Sequence, residues 1–332
     1  MSMSTSSVWV RRLGVACLAM TLTAVAPLTA ATAATTATKV NAANAAAKVN
    51  PANAGTMVAQ VAATAPAGVA AKSAYLYDST AGKTLWSRSP DTKLPIGSIT
   101  KVMTALVVIK AGHLDRKLTI TKKYADYVKK YGASQAYLAV GDKITVGQLL
   151  YALLLPSGCD AAYALADSYG PKWAGFVKKM NTQAKALGMK HTHYANFDGL
   201  PWPTATAGYS TARDQITLAR TAMKYPTFRT IVAKATYSAK TAGGHSYTWK
   251  TTNRLLGVYP GMQGIKTGHT TAAGYCLMFA ARRNSRTVIG VVLNSSRTSE
   301  KARFTDAVKA LDWAFHTHTT VQLLPLSRVA TD

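Results

Sequence analysis

The stretch 95–109, Pro-Ile-Gly-Ser-Ile-Thr-Lys-Val-Met-Thr-Ala-Leu-Val-Val-Ile, is apolar nearly all the way round once Gly97 is passed. A helix without a wet face has to be buried on every side, so the rest of the chain must wrap around it. Ser98 and Lys101 interrupt it at the start, three residues apart. On a helix that spacing puts both side chains on one face with Cβ atoms roughly 5–6 Å apart, so the amine can take the hydroxyl proton. Burial disfavours the charged form of an amine, and the first helical turn offers unpaired N–H groups and the positive dipole end to incoming negative charge. Two readings fit: an activated nucleophile with part of an oxyanion hole, or a helix opened by an N-cap serine with a lysine one turn on. Ser98 is the one serine in the sequence with a lysine three positions further along.

A chain of 332 residues can hold one large core or two modest ones. Its start lies outside that core. Arg11 and Arg12 precede an apolar run at 13–28 and then small residues up to Ala33, the layout of a secretory signal peptide. The next segment is mostly Ala, Thr, Asn, Lys and Val with no aromatic residue, too little apolar surface to offset the entropy of ordering it. The expected division is a signal peptide at 1–33, a flexible spacer at 34–70, a folded catalytic domain at 71–318 and a short tail at 319–332. No other segment has the 18 or so apolar residues of a membrane span, so the mature chain is expected to be secreted, on the wall side of the membrane.

The formal charge is +26, and Glu300 is the only glutamate. Such a surface seeks anions. Its basic residues are scattered, without the clustered arm or the zinc-binding Cys/His spacing of nucleic-acid modules, so anionic cell-wall polymers are the expected partner rather than nucleic acid. His191 and His193 cannot form a His-Glu-x-x-His zinc site without a glutamate, and neither metal nor cofactor is expected. Cys159 and Cys276 are read as free thiols, since a core of this size needs no disulfide.

Along the chain, β-type runs at 74–78 and 83–88 flank a turn. Helical patterns follow at 122–131, at 146–155 behind a Thr145 cap, at 159–169, at 172–187 with Gly188 as its stop, and at 211–224 behind a capping box. Strand-like segments at 245–250, 262–267, 274–281 and 287–294 precede a last helix at 300–315. Strands at both ends and helices between them predict an α+β fold, an antiparallel sheet flanked by helices with an inserted helical subdomain.

Two further motifs stand out. Pro156-Ser157-Gly158-Cys159-Asp160 joins two apolar helices and is at least a tight corner. Lys266-Thr267-Gly268-His269 lies in a predicted strand, where glycine often marks a close approach by backbone or ligand. In this order, Ser98-x-x-Lys101, Ser157-x-Cys159 and Lys266-Thr-Gly resemble the motif set of penicillin-binding proteins and serine β-lactamases. From about 74 to 315 the chain resembles the low-molecular-weight D-alanyl-D-alanine carboxypeptidases, including secreted actinobacterial D,D-transpeptidases that share the Ser-Gly-Cys. Asn196-Phe-Asp-Gly-Leu200 and Ala273-Gly-Tyr-Cys-Leu277 belong to the same likeness.

The resemblance implies the penicillin-binding fold and a serine peptidase of peptidoglycan synthesis. Its substrates would be stem peptides ending in D-Ala-D-Ala, with β-lactams as acylating inhibitors. Ser98 would attack the penultimate carbonyl and Lys101 would take its proton. Ser157 would pass a proton to the leaving nitrogen with Lys266 behind it, and Lys266 with Thr267 would hold the terminal carboxylate. The N–H groups of Ser98 and His269, with Gly268 between the latter and Thr267, would form the oxyanion hole. Arg303 aligns with an arginine that helps bind the same carboxylate, or is a surface helix residue.

Most relatives have asparagine where Cys159 stands. An amide both donates and accepts, whereas a thiol does either weakly, and the lost bonds cost about 1–3 kcal/mol. The competing expectation is therefore a non-catalytic wall-binding protein that has lost turnover through Cys159. Fast β-lactamase action is not expected, because no glutamate lies between Cys159 and Lys266.

Overall fold

The structure, a computed structural model, describes residues 65–241 and 243–323; the expected signal peptide and most of the spacer lie outside them. The chain opens with the hairpin β1 (Ser73–Asp78) and β2 (Lys83–Arg88), then a 3-10 turn, Gly97–Thr100, runs straight into α1 (Lys101–Ala111). A short ribbon of β3 (Lys117–Thr119) and β4 (Lys143–Thr145) brackets α2 (Lys122–Tyr131). The helical middle continues with α3 (Val146–Leu154), α4 (Cys159–Tyr169), α5 (Lys172–Ala186), α6 (Ala212–Ala222) and α7 (Pro226–Val232). After the hairpin β5 (Thr236–Lys240) and β6 (Ser246–Lys250) come β7 (Met262–Gly268), β8 (Cys276–Arg283), β9 (Arg286–Leu293) and α8 (Lys301–Phe315).

The main sheet is antiparallel with strand order β2-β1-β9-β8-β7, so the first and last parts of the chain meet in its centre. Side chains alternate across it. Leu76, Leu277, Phe279, Val288 and Val292 pack with Phe304 and Leu311 of α8. Tyr75, Met278, Ala280, Ile289 and Val291 pack on the other face with α1 and the remaining helices. Helix α1 is therefore sealed between sheet and helical layer, and every residue from Lys101 to Val108 is buried. The apolar surround read from its sequence is what this position requires.

Thr145 caps α3 as expected: its side chain accepts from Gln148 N while Gln148 Oε1 accepts from Thr145 N at 3.0 Å. At α6 only half of the box forms. Thr211 accepts from Asp214 N at 3.1 Å, but the Asp214 carboxylate accepts from His191 N and the Thr192 hydroxyl instead of turning back. Three features differ from the sequence reading. Residues 97–100 are a tighter 3-10 turn; β3, β4, β5 and α7 do not show in the sequence, being too short to display a period; and β6 pairs with β5 instead of joining the main sheet.

Candidate active site

The 3-10 turn places Ser98 directly before α1, and the first residue of that helix is Lys101. No side chain caps the turn, so the Ser98 hydroxyl is not used as a helix cap. Lys101 Nζ lies 2.8 Å from Ser98 Oγ, 3.3 Å from Ser157 Oγ and 3.3 Å from the Asp198 carbonyl oxygen. Lys101, Ser157 and Asp198 are completely buried, and Ser98 keeps 7% of its surface exposed. A buried lysine with three oxygen neighbours, two of them serine hydroxyls, is an arrangement that can move a proton.

Ser157 sits in the corner between α3 and α4 with φ +66. A non-glycine residue in the left-handed region carries strain, which persists only where the surroundings over-determine it. They do so here. Ser134 Oγ donates to Ser157 O at 2.8 Å and Ser134 O accepts from Cys159 N at 2.8 Å. The buried Asp160 carboxylate accepts from the N–H groups of Ala136, Leu138 and Ala161 and so ties residues 136–138 to the start of α4.

Cys159 is fully buried, and burial pushes its thiol up to about 12, against the pull of the Lys101 charge. The side chain is therefore a neutral thiol. Its neighbours are Ser134 Oγ at 3.7 Å and the Asp198 carboxyl. Cys276 is the other free thiol among the described residues, also buried and pushed up to about 11 by burial.

Strand β7 borders the 3-10 turn, and two glycines permit the approach. A Cβ on Gly97, whose φ is +53, would lie 2.8 Å from His269 N; one on Gly268 would lie 2.5 Å from Ile96 O. The backbone that follows Lys266-Thr267-Gly268 is thereby brought against the residue preceding Ser98. Lys266 is 1% exposed and donates to Thr267 O at 3.0 Å. The Thr267 hydroxyl shares a 2.6 Å hydrogen bond with that of Thr252, and Thr252 N donates to Leu155 O, two residues before Ser157. The His269 ring stacks on Tyr275 with centroids 4.0 Å apart.

Arg303 is not a surface residue. Its side chain is 1% exposed, lies over the Tyr275 ring, pairs with Glu300 at 2.9 Å and donates to Gly268 O at 3.4 Å. The structure thus brings Ser98, Lys101 and Ser157 into one hydrogen-bonded group, sets β7 and its His269 end against it, and puts Arg303 behind that strand.

Sequence reasoning assigned no role to Asp198, Tyr127 or Asn196. Asn196 Oδ1 accepts from the N–H groups of Asp198 and Gly199, while its amide donates to the carbonyls of Leu200 and Trp202. Tyr127 donates to Asp198 Oδ2 at 2.7 Å. Burial raises the Asp198 carboxyl above the ordinary aspartate range, opposed by the Lys101 charge and the Tyr127 hydroxyl. The Asn-Phe-Asp-Gly stretch did carry a signal, since Asn and Asp beside Gly favour side-chain-closed turns, but nothing in it points at a lysine nearly a hundred residues earlier.

Comparison with known proteins agrees with this geometry. The family model described as D-alanyl-D-alanine carboxypeptidase matches residues 59–297. A D-alanyl-D-alanine carboxypeptidase of Streptomyces sp. (strain K15) is 48% identical over 260 residues, 74% of this chain and 88% of its own. D-alanyl-D-alanine carboxypeptidase DacF of Bacillus subtilis is 34% identical over 253 residues, 75% of this chain and 63% of its own. The crystal structure of the Streptomyces K15 DD-transpeptidase superposes with a TM-score of 0.71 at 48% identity, covering 75% of this chain and 98% of that one. With the ordered motifs meeting at a buried Ser-Lys pair on this α+β fold, the chain belongs to the D-alanyl-D-alanine carboxypeptidase family of serine peptidases.

Proposed function

We propose that this chain is a secreted D,D-peptidase that transfers the acyl part of peptidoglycan stem peptides ending in D-Ala-D-Ala through an ester on Ser98. The observation that carries the reading is the 2.8 Å contact between Nζ of the fully buried Lys101 and the Oγ of Ser98, a residue with 7% of its surface exposed. Lys101 takes the Ser98 proton as Oγ bonds to the carbonyl carbon of the penultimate D-alanine. The oxyanion then faces the N–H groups of Ser98 and His269, each such donor worth roughly 2.7–4 kcal/mol in comparable sites. The carbon–nitrogen bond breaks as Ser157, hydrogen-bonded to Lys101, delivers the proton to the leaving amine. Lys266 and Thr267 hold the terminal carboxylate. Arg303, turned to Glu300 and Gly268 O, acts on that carboxylate through the strand it braces. Water then releases the acid, or an amine forms a new peptide bond.

The substitution at Cys159 does not empty the site, because the thiol is packed among Ser134, Lys101 and Asp198. Incubation of the mature protein with fluorescent penicillin and with a D-Ala-D-Ala peptide tests the reading. The expected outcome is a covalent adduct absent from Ser98→Ala, slow loss of that adduct, and release of D-alanine. Folded wild-type protein that takes no label would instead be a binding module, and rapid penicillin turnover would make it a β-lactamase.

The +26 formal charge supports retention on anionic wall polymers. Such contacts are screened within about 8 Å at physiological salt and about 3 Å at 1 M. Protein bound to isolated cell walls is expected to elute as salt rises towards 1 M; retention unchanged across that range would contradict an electrostatic hold.

A further inference from the structure

A neutral amine has two N–H donors and one lone pair. For Lys101 to act as a base towards Ser98, that lone pair must point at Ser98, and both N–H groups must be occupied elsewhere. Of its three oxygen neighbours two are hydroxyls, which both donate and accept. The third, the Asp198 carbonyl, can only accept, so the 3.3 Å contact there has to be an N–H of Lys101. That bond fixes the direction of one N–H and so restricts the rotation of the amine. Whatever holds the Asp198 carbonyl in place therefore decides where the lone pair points.

The hold is an elaborate one. Asp198 is fully buried, and its carboxyl accepts from Leu200 N at 3.1 Å and Tyr127 OH at 2.7 Å. Tyr127 is aimed in turn by Trp202, whose indole N–H donates to the phenol oxygen at 2.8 Å. The next residue, Gly199, lies so close to Gly97 that a Cβ there would be 2.0 Å from Gly97 O. The segment is thus wedged against the turn that carries Ser98.

We propose that Asp198 is the positioning residue of the general base, its carbonyl orienting the Lys101 amine and its carboxyl anchored by the Tyr127–Trp202 pair on the helical layer. This inference rests on Lys101 acting as base in the proposed reaction. It assigns a task to a buried carboxyl, and it explains how the lysine is oriented although a thiol stands where relatives have an amide.

The test is stopped-flow acylation of the whole mature protein by a fluorescent penicillin, separating the affinity of the non-covalent complex from the acylation rate constant. Tyr127→Phe keeps the ring and removes the hydroxyl that donates to Asp198 and accepts from Trp202. Its acylation rate constant is expected to fall about 10- to 100-fold, the range for a small misplacement of a reacting group, with non-covalent affinity unchanged and Tm within a few degrees of wild type. Asp198→Ala is expected to fall at least as far, and Asp198→Asn, whose amide keeps one of the two acceptors that Leu200 N and the Tyr127 hydroxyl use, to fall less than Asp198→Ala. Wild-type acylation rates in Tyr127→Phe would overturn the inference, as would equal losses in Asp198→Asn and Asp198→Ala. Should Tyr127→Phe not fold, Trp202→Phe loosens the same anchor one bond further out and is read in the same way. If wild-type protein is not acylated at all, it is the proposed function that fails.

Discussion

Replacing Lys101 by methionine is expected to lower the rate of Ser98 acylation by penicillin about 10²- to 10⁴-fold, the usual contribution of a positioned base, while leaving the protein folded. An alcohol holds its proton at neutral pH, and Lys101 Nζ, 2.8 Å from Ser98 Oγ, is placed to receive it. Lys266, the other buried amine of the site, is directed to its own neighbour's carbonyl, Thr267 O. Methionine has a similar unbranched stem and fills the channel without a polar end. Two stability effects oppose each other. The Asp198 carbonyl loses a donor, which costs about 1–3 kcal/mol, and a buried ionisable group is exchanged for an apolar one, which is often neutral or favourable. Tm is therefore expected to move by only a few degrees. The measurement is the acylation rate constant beside a thermal melt, with Ser98→Ala as the zero. A variant acylated within about threefold of wild type would move the base to Lys266 acting through Ser157.

Much of this site is legible in the sequence because its parts are local. Ser98 and Lys101 are one turn apart, and Ser157 and Cys159 lie in one corner. In β7, Lys266, Thr267 and Gly268 are consecutive. Each piece shows in its own few residues, and the apolar surround of α1 states that it is buried. What sequence reading could not reach is the long-range bonding between the pieces. Asp198 bonds through its main-chain carbonyl to Lys101, and a carbonyl leaves no trace in residue identity. For Arg303 the sequence leaves a carboxylate-binding and a surface reading side by side, because the side chain that neutralises it, Glu300, and the carbonyl it meets, Gly268 O, come together only once α8 has packed on the sheet. The α+β architecture was readable from strands at the two ends of the domain. The departure of β6 from the main sheet was not, since its alternation of buried Tyr247 and Trp249 with exposed residues fits either sheet.

The second large effect is expected from one methyl group. Gly97→Ala should reduce Ser98 acylation more than 100-fold and lower Tm by roughly 5–15 °C. The backbone at Gly97 has φ +53, where an L-residue costs about 1–2 kcal/mol. The added Cβ would lie 2.8 Å from His269 N and 3.1 Å from that residue's carbonyl carbon and oxygen. Those atoms are backbone of the residue that directly follows β7, whose last residue Gly268 pairs with Cys276 of β8, so they do not swing aside as a flexible side chain would. Overpacking of this kind typically costs about 1–3 kcal/mol. The sum of about 2–5 kcal/mol corresponds to the Tm change at roughly 2–4 °C per kcal/mol. Activity should suffer beyond stability, because forcing that contact open moves the Ser98 turn away from His269, whose N–H is the second donor of the proposed oxyanion hole, and about 1 Å of misplacement costs on the order of 10²-fold. Gly188→Ala separates the two contributions. Gly188 has φ +72 with nothing within 4 Å of its Cβ position, so it should lose only the conformational part, about 1–2 kcal/mol, and keep wild-type acylation. Equal behaviour of the two variants would show that the close approach of Gly97 to His269 has no part in the reaction, and with it the oxyanion hole assembled from Ser98 and His269 would have to be abandoned.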